Sequence, residues 1–99
     1  VVHSLTMRLD EKERQAIKGA ILEFDSAAEI YLFGSRTDMN KRGGDIDILI
    51  ISQLLTSGDK IAILYRIFEQ IEEQKIDLVV ARDDSDPFVR LALKTGIKL

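Results

Sequence analysis

At 99 residues with 45% apolar side chains, one proline and six glycines, the chain is sized for one domain with a modest core of mixed helices and strands. A formal net charge of -3 and a pI of about 5.1 exclude the uniformly basic surface that phosphate-backbone binding needs, so no direct nucleic-acid contact is expected. The lack of cysteine removes disulfides, thiolate catalysis and Cys-bound zinc and fits a reducing cytoplasm, while no apolar run approaches the ~18 residues that span a membrane.

The chain opens at Val1, which leaves open a trimmed leader or a start codon read as valine, with Met7 as the alternative start. Residues 1–6 are set aside as a leader, non-native or disordered, and His3, the only histidine, falls within it and receives no catalytic role. From Asp10 to Phe24, DEKERQAIKGAILEF places Ala16, Ile17, Ala20, Ile21 and Phe24 on one stripe and predicts an amphipathic helix. Asp10 and Glu13 have the spacing of a capping box, and the polar face reads as solvated surface.

Glu29 to Phe33, EIYLF, is too short for a helix and rich in strand formers, and it leads directly into Gly34-Ser35. A glycine there allows backbone angles or a close approach that a Cβ would forbid, and such a corner presents N–H groups to an anion. Ser35 adds a hydroxyl donor, and Arg36, Lys41 and Arg42 give the next loop a positive charge suited to polyphosphate. Taken alone, these residues also read as an ordinary polar turn. The following GGDIDILII predicts a strand over 45–52 with Asp45 and Asp47 at i and i+2. Alternation points both carboxylates the same way, ~6.5–7 Å apart between Cα atoms, which suits one hard cation or a bridged pair.

Thr56, Ser57, Gly58 and Asp59 supply candidate caps, and Ile61, Leu64, Ile67, Phe68 and Ile71 recur at helical spacing over Lys60 to Glu73, predicting a helix packed on the sheet. Ile76 to Ala81, IDLVVA, predicts a buried strand whose one charge, Asp77, has to be paired, solvated or metal-bound. If this strand lies beside 45–52, Asp77 joins Asp45 and Asp47 in a three-carboxylate site for Mg2+; an exposed strand end is the alternative. Asp86-Pro87 predicts the cap and first turn of a last helix with Phe88, Leu91 and Ala92 as its apolar stripe and Gly96 as its C-terminal breaker. Ile97 and Leu99 then dock as a short extended tail.

In order, Gly34-Ser35, residues 36 to 44, Asp45-Ile46-Asp47 and Asp77 resemble the signature of the minimal nucleotidyltransferase family of the DNA polymerase β superfamily. That signature is a hydrophobic residue with Gly-Gly or Gly-Ser, a short spacer, Asp-x-Asp, and a third carboxylate on a later strand. The resemblance extends over nearly the whole chain from about Met7, and its combination of parts is more specific than any one of them. It implies a single minimal nucleotidyltransferase domain over 1–99, of α/β (α+β) class, with a mixed β-sheet and flanking helices. One departure is Gly44, after Gly43, where relatives commonly carry serine or threonine; a hydroxyl is lost from the phosphate loop while the carboxylates are intact.

The resemblance further implies in-line attack of an acceptor oxygen on the α-phosphorus of a nucleoside triphosphate, with pyrophosphate leaving. Asp45, Asp47 and Asp77 would be the catalytic and metal-binding residues of a centre with two Mg2+ ions, Asp77 serving the ion that activates the acceptor. Gly34, Ser35, Arg36 and Arg42 would bind the nucleotide, with ATP as substrate. Small members of the family resemble antitoxins paired with a helical HEPN ribonuclease toxin, and some transfer AMP to a tyrosine of that partner. The leading expectation is therefore a cytoplasmic protein adenylyltransferase whose partner covers the rim formed by Gly34, the 36–44 loop and the 82–86 loop. The competing expectations are an antitoxin acting by contact alone, a small-molecule adenylyltransferase of the aminoglycoside kind, and a Mg2+-nucleotide sensor without turnover. Buried carboxylates lacking a ligand argue against the inert options, and the lack of an acceptor-binding domain argues against a free small molecule.

Overall fold

The computed structural model describes residues 9–34 and 46–99. Its elements run α1 (Glu11–Phe24), β1 (Glu29–Phe33), β2 (Ile46–Ile51), a 3-10 turn (Ser57–Asp59), α2 (Lys60–Phe68), β3 (Ile76–Ala81), α3 (Pro87–Thr95) and β4 (Ile97–Lys98). The strands form one mixed sheet in the order β3-β2-β1-β4, as the expected fold class requires. β1 is antiparallel to both β2 and β4, whereas β2 and β3 are parallel. A parallel step needs a crossover, and α2 supplies it.

Helix α1 starts where its cap residues dictate. The Glu13 N–H donates to Asp10 Oδ1 at 2.7 Å and the Asp10 N–H donates to Glu13 Oε1 at 3.2 Å, so two groups that the first turn would otherwise leave unpaired are satisfied reciprocally. Its stripe of Ala16, Ile17, Ala20 and Ile21 is buried, with Phe24 packed partly against the same core. That core holds Ile30, Leu32, Ile46, Ile48, Ile50, Ile76 and Leu78 from one face of the sheet, and Ile63 and Ile67 from α2. On the other face Leu49 packs with Val89 and Ala92 of α3, bordered by Tyr31, Phe33, Ile51, Val79 and Ala81. Strand β2 is thus covered on both faces, which is why IDILII reads as a nearly continuous apolar run.

A polar pin closes the end of this core where α1 and β2 finish. Asp25, which follows α1, and Ser52, which follows β2, are both buried. The Ser52 hydroxyl donates to Asp25 Oδ2 at 2.5 Å and accepts from the N–H groups of Leu54 and Leu55, while Asp25 Oδ1 accepts from the Ala27 N–H. Every polar group in the cluster has a partner, as burial demands.

Two helices depart from expectation. α2 ends at Phe68 rather than Glu73: the Glu69 N–H is shared between the carbonyls of Tyr65 and Arg66 and the Gln70 N–H turns to that of Ile67, three residues back, tightening the last turn before a polar run. Its buried residues are Ile63 and Ile67, whereas Ile61 is 65% exposed. In α3 the buried residues are Val89 and Ala92, with Phe88 and Leu91 exposed, so the inward stripe is rotated by about one residue, roughly 100°, from the expected one. Asp86 caps this helix by accepting from the Phe88 N–H at 2.7 Å, and Pro87 occupies its first turn as anticipated. Gly96 does end α3, but at φ -84 and not in the left-handed region; a Cβ there would lie 2.6 Å from the Ala92 carbonyl oxygen and 2.8 Å from that of Leu32. Close approach of α3 to β1 requires the glycine. The tail forms β4 beside β1, and buried Leu99 donates its N–H to the Ile30 carbonyl at 2.9 Å. Among the described residues no helix is long and apolar enough to cross a membrane.

Candidate active site

Strand parity decides where the acidic residues emerge. Ile46, Ile48 and Ile50 face α1 and α2, so Asp47 joins Leu49 and Ile51 on the α3 face; by the same alternation Asp77 joins Val79 and Ala81 there. The parallel β2–β3 register sets Asp47 directly beside Asp77. Neighbouring strands lie ~4.8 Å apart, so two carboxylates stand side by side at the end of the sheet where both strands begin. Asp47 is half-buried and Asp77 exposed.

Gly34 closes one side of this pair. β1 pairs with β2 so that Phe33 lies opposite Asp47, and the next residue, Gly34, takes φ +78. A Cβ at Gly34 would collide with Asp47 Oδ2 and come within 3.2 Å of Asp47 Cγ. The backbone therefore reaches the carboxylate through space that any other residue would fill, and at a φ that glycine adopts without strain. Oxygen donors from two adjacent strands against a bare backbone corner fit a hard divalent cation carrying phosphate.

Of the residues singled out in the sequence, Gly34, Asp47 and Asp77 are brought together. Asp45, Ser35, Arg36, Lys41, Arg42, Gly43 and Gly44 lie outside the described residues, as do His3 and the 1–6 leader. Among the described residues no group of three or more metal-ligating side chains occurs. One expectation needs correction. Asp77 lies exposed on an edge strand, so burial does not force a ligand upon it, and the argument from buried charge against a non-catalytic protein falls away for this residue. The 82–86 loop follows Ala81, which pairs with Ile51 at the end of the sheet opposite Asp77, and hydrogen bonds between Arg82 and Gln53 hold it there. Its other end, Asp86, caps α3 at Phe88, whose ring meets that of Phe33 next to Gly34.

An aromatic pair beside the carboxylates was not anticipated. Phe33, across from Asp47, meets Phe88 of α3 edge to face, with ring centroids 5.5 Å apart and planes at 79°. The position of Phe33 immediately before Gly34 is the signal for it, whereas Phe88 reads from the sequence only as part of the apolar stripe of α3. Two grooves described elsewhere are remote from the carboxylates. One runs between α1 and α2 past Lys12, Gly19, Glu23 and Arg66, on the other face of the sheet, and one lies beside Asp25 and Ser52 at its far end.

A mixed sheet that delivers carboxylates from parallel neighbours to one end of one face, against a glycine corner, defines an α/β domain with a candidate site at that end. Residues 15–99 match the family described as Polymerase beta, Nucleotidyltransferase. The chain belongs to this nucleotidyltransferase family, whose members typically use a nucleoside triphosphate and a divalent metal, and nucleotidyltransferase-type activity follows from that membership. No match is found among curated proteins.

Proposed function

We propose that the protein is a Mg2+-dependent nucleotidyltransferase that moves AMP from ATP to a tyrosine hydroxyl of a helical HEPN-type ribonuclease, and so acts as the antitoxin of a toxin–antitoxin pair. The in-register placement of Asp47 and Asp77 beside Gly34 is the observation that supports it. In this reading Asp47, with Asp45 two residues before it, and Asp77 would hold two ions, with Asp77 serving the one that activates the acceptor. When bound, the two ions neutralise the triphosphate and ease loss of the acceptor's proton. The backbone at Gly34, with Ser35, Arg36 and Arg42, takes the outer phosphates. Asp77 orients the acceptor hydroxyl and assists its deprotonation as the oxygen bonds to the α-phosphorus; the bond from that phosphorus to the pyrophosphate oxygen breaks, and pyrophosphate leaves.

Exposure of Asp77 on an edge strand favours an acceptor carried on another protein's surface. The test is to incubate the protein and its helical partner with labelled ATP and Mg2+. Label is expected on the partner, and Asp47→Ala or Asp77→Ala is expected to abolish it. Partner inhibition that persists in these variants, with no label in the wild type, would establish an antitoxin acting by contact; label on a free aminoglycoside-type molecule alone would establish the small-molecule enzyme.

A further inference from the structure

We infer that the Phe33–Phe88 pair is the surface on which the nucleobase of the bound nucleotide packs, an inference that rests on reading Asp47 and Asp77 as the triphosphate and acceptor site. The placement follows from register. Phe33 and Asp47 are directly opposed on antiparallel strands, which puts their Cβ atoms about 5 Å apart on the same face. Phe88 continues the apolar surface from Phe33 at 5.5 Å. A ligand anchored by its phosphates at Asp47 therefore has an aromatic surface within one sugar's reach.

Strand order selects the base over the acceptor as occupant. In β3-β2-β1-β4, Asp77 flanks Asp47 on one side and Phe33 flanks it on the other. The acceptor, addressed by Asp77, enters from the open β3 side; the rings lie on the side left to the nucleoside. Their chemistry agrees, since π faces next to a charged anchor accept a flat heterocycle without demanding a particular hydrogen-bond pattern.

Phe88 is also poorly explained as core. It is 48% exposed, while Val89 and Ala92 make the buried contacts of α3. Yet it is firmly held. Asp86 caps its N–H, Pro87 precedes it, and the Arg90 guanidinium donates to the carbonyl oxygens of Asp84 at 2.9 Å and Ser85 at 3.0 Å, tying the preceding loop to the helix. A ring fixed before the ligand arrives loses little freedom on binding.

The experiment compares binding of Mg2+-ATP and Mg2+-inorganic triphosphate to the full chain by calorimetry. Phe88→Ala is expected to weaken ATP on the order of fivefold or more while leaving triphosphate unchanged, because only ATP carries a base. Phe88→Tyr should retain the preference, and Leu91→Ala, which removes an exposed apolar side chain from the same helix, should alter neither ligand. Equal weakening of both ligands by Phe88→Ala, or of neither, overturns the inference while leaving the carboxylate site standing. A wild-type protein that binds neither ligand overturns the carboxylate reading itself, and the aromatic subsite with it.

Discussion

Gly34 approaches the Asp47 carboxylate so closely that a single methyl group on its Cα would overlap Oδ2. The glycine also holds φ +78, so Gly34→Ala meets two penalties: a left-handed backbone and a displaced carboxylate. Destabilisation of about 1–3 kcal/mol is expected from the backbone alone, measured by denaturant unfolding. Mg2+-nucleotide affinity should fall with it, because Asp47 has to rotate away. An alanine variant with wild-type stability and affinity would show that the corner does not shape the site.

Asp47 and Asp77 stand side by side as like charges on adjacent parallel strands, an arrangement that weakens a sheet. Asp77→Asn should therefore fold and, without metal, be at least as stable as the wild type. Adding Mg2+ should raise the wild-type melting temperature by mass action and raise that of Asp47→Asn or Asp77→Asn less. An identical Mg2+ response in all three proteins would rule out this pair as cation ligands.

Ser52 tests the fold rather than the site. Ser52→Ala removes the donor to buried Asp25 Oδ2 and, in the same stroke, the acceptor for the Leu54 and Leu55 N–H groups. Leaving a buried carboxylate short of a donor costs on the order of 3 kcal/mol, so unfolding should move to clearly lower denaturant concentration. A shift within the scatter of ordinary surface substitutions would mean that Asp25 regains solvent when the hydroxyl is gone.

Local signals made α1, β1 and β3 legible from the sequence. A capping box and a short run of strand formers are complete within a few residues and need no distant partner. The helices on either face were less legible for the opposite reason. α2 carries Ile61, Ile63, Leu64, Tyr65 and Ile67, and α3 carries Phe88, Val89, Leu91 and Ala92, so each offers more than one apolar stripe. Which stripe turns inward is set by the sheet it meets. The same limit applies to the site. Asp47 and Gly34 are close in sequence, but the approach of Asp77 depends on a parallel register thirty residues away, and the Phe33–Phe88 contact depends on the rotation of α3.

Tyr31 supplies a prediction in pH. Its hydroxyl donates to Glu29 Oε1 at 3.0 Å, and Lys98, its partner in the β1–β4 register, places its ammonium 5.9 Å from the ring centroid. Burial first, then the hydrogen bond to Glu29 and the charge of that carboxylate, hold the phenol above its ordinary value. A raised folded value means that the folded state binds the proton more tightly than the unfolded chain. The resulting stabilisation is fully present below the unfolded value of about 10 and is lost as pH rises from there through the folded value. Tyr31→Phe should lack this component of the pH dependence. The cleanest measurement is tyrosinate absorbance in a Tyr65→Phe background, where Tyr31 is the remaining tyrosine of the chain's two. Tyr31 should titrate at higher pH in the folded protein than in urea, and Glu29→Gln should narrow the gap. Superimposable folded and unfolded titrations would show that neither burial nor Glu29 restrains the phenol.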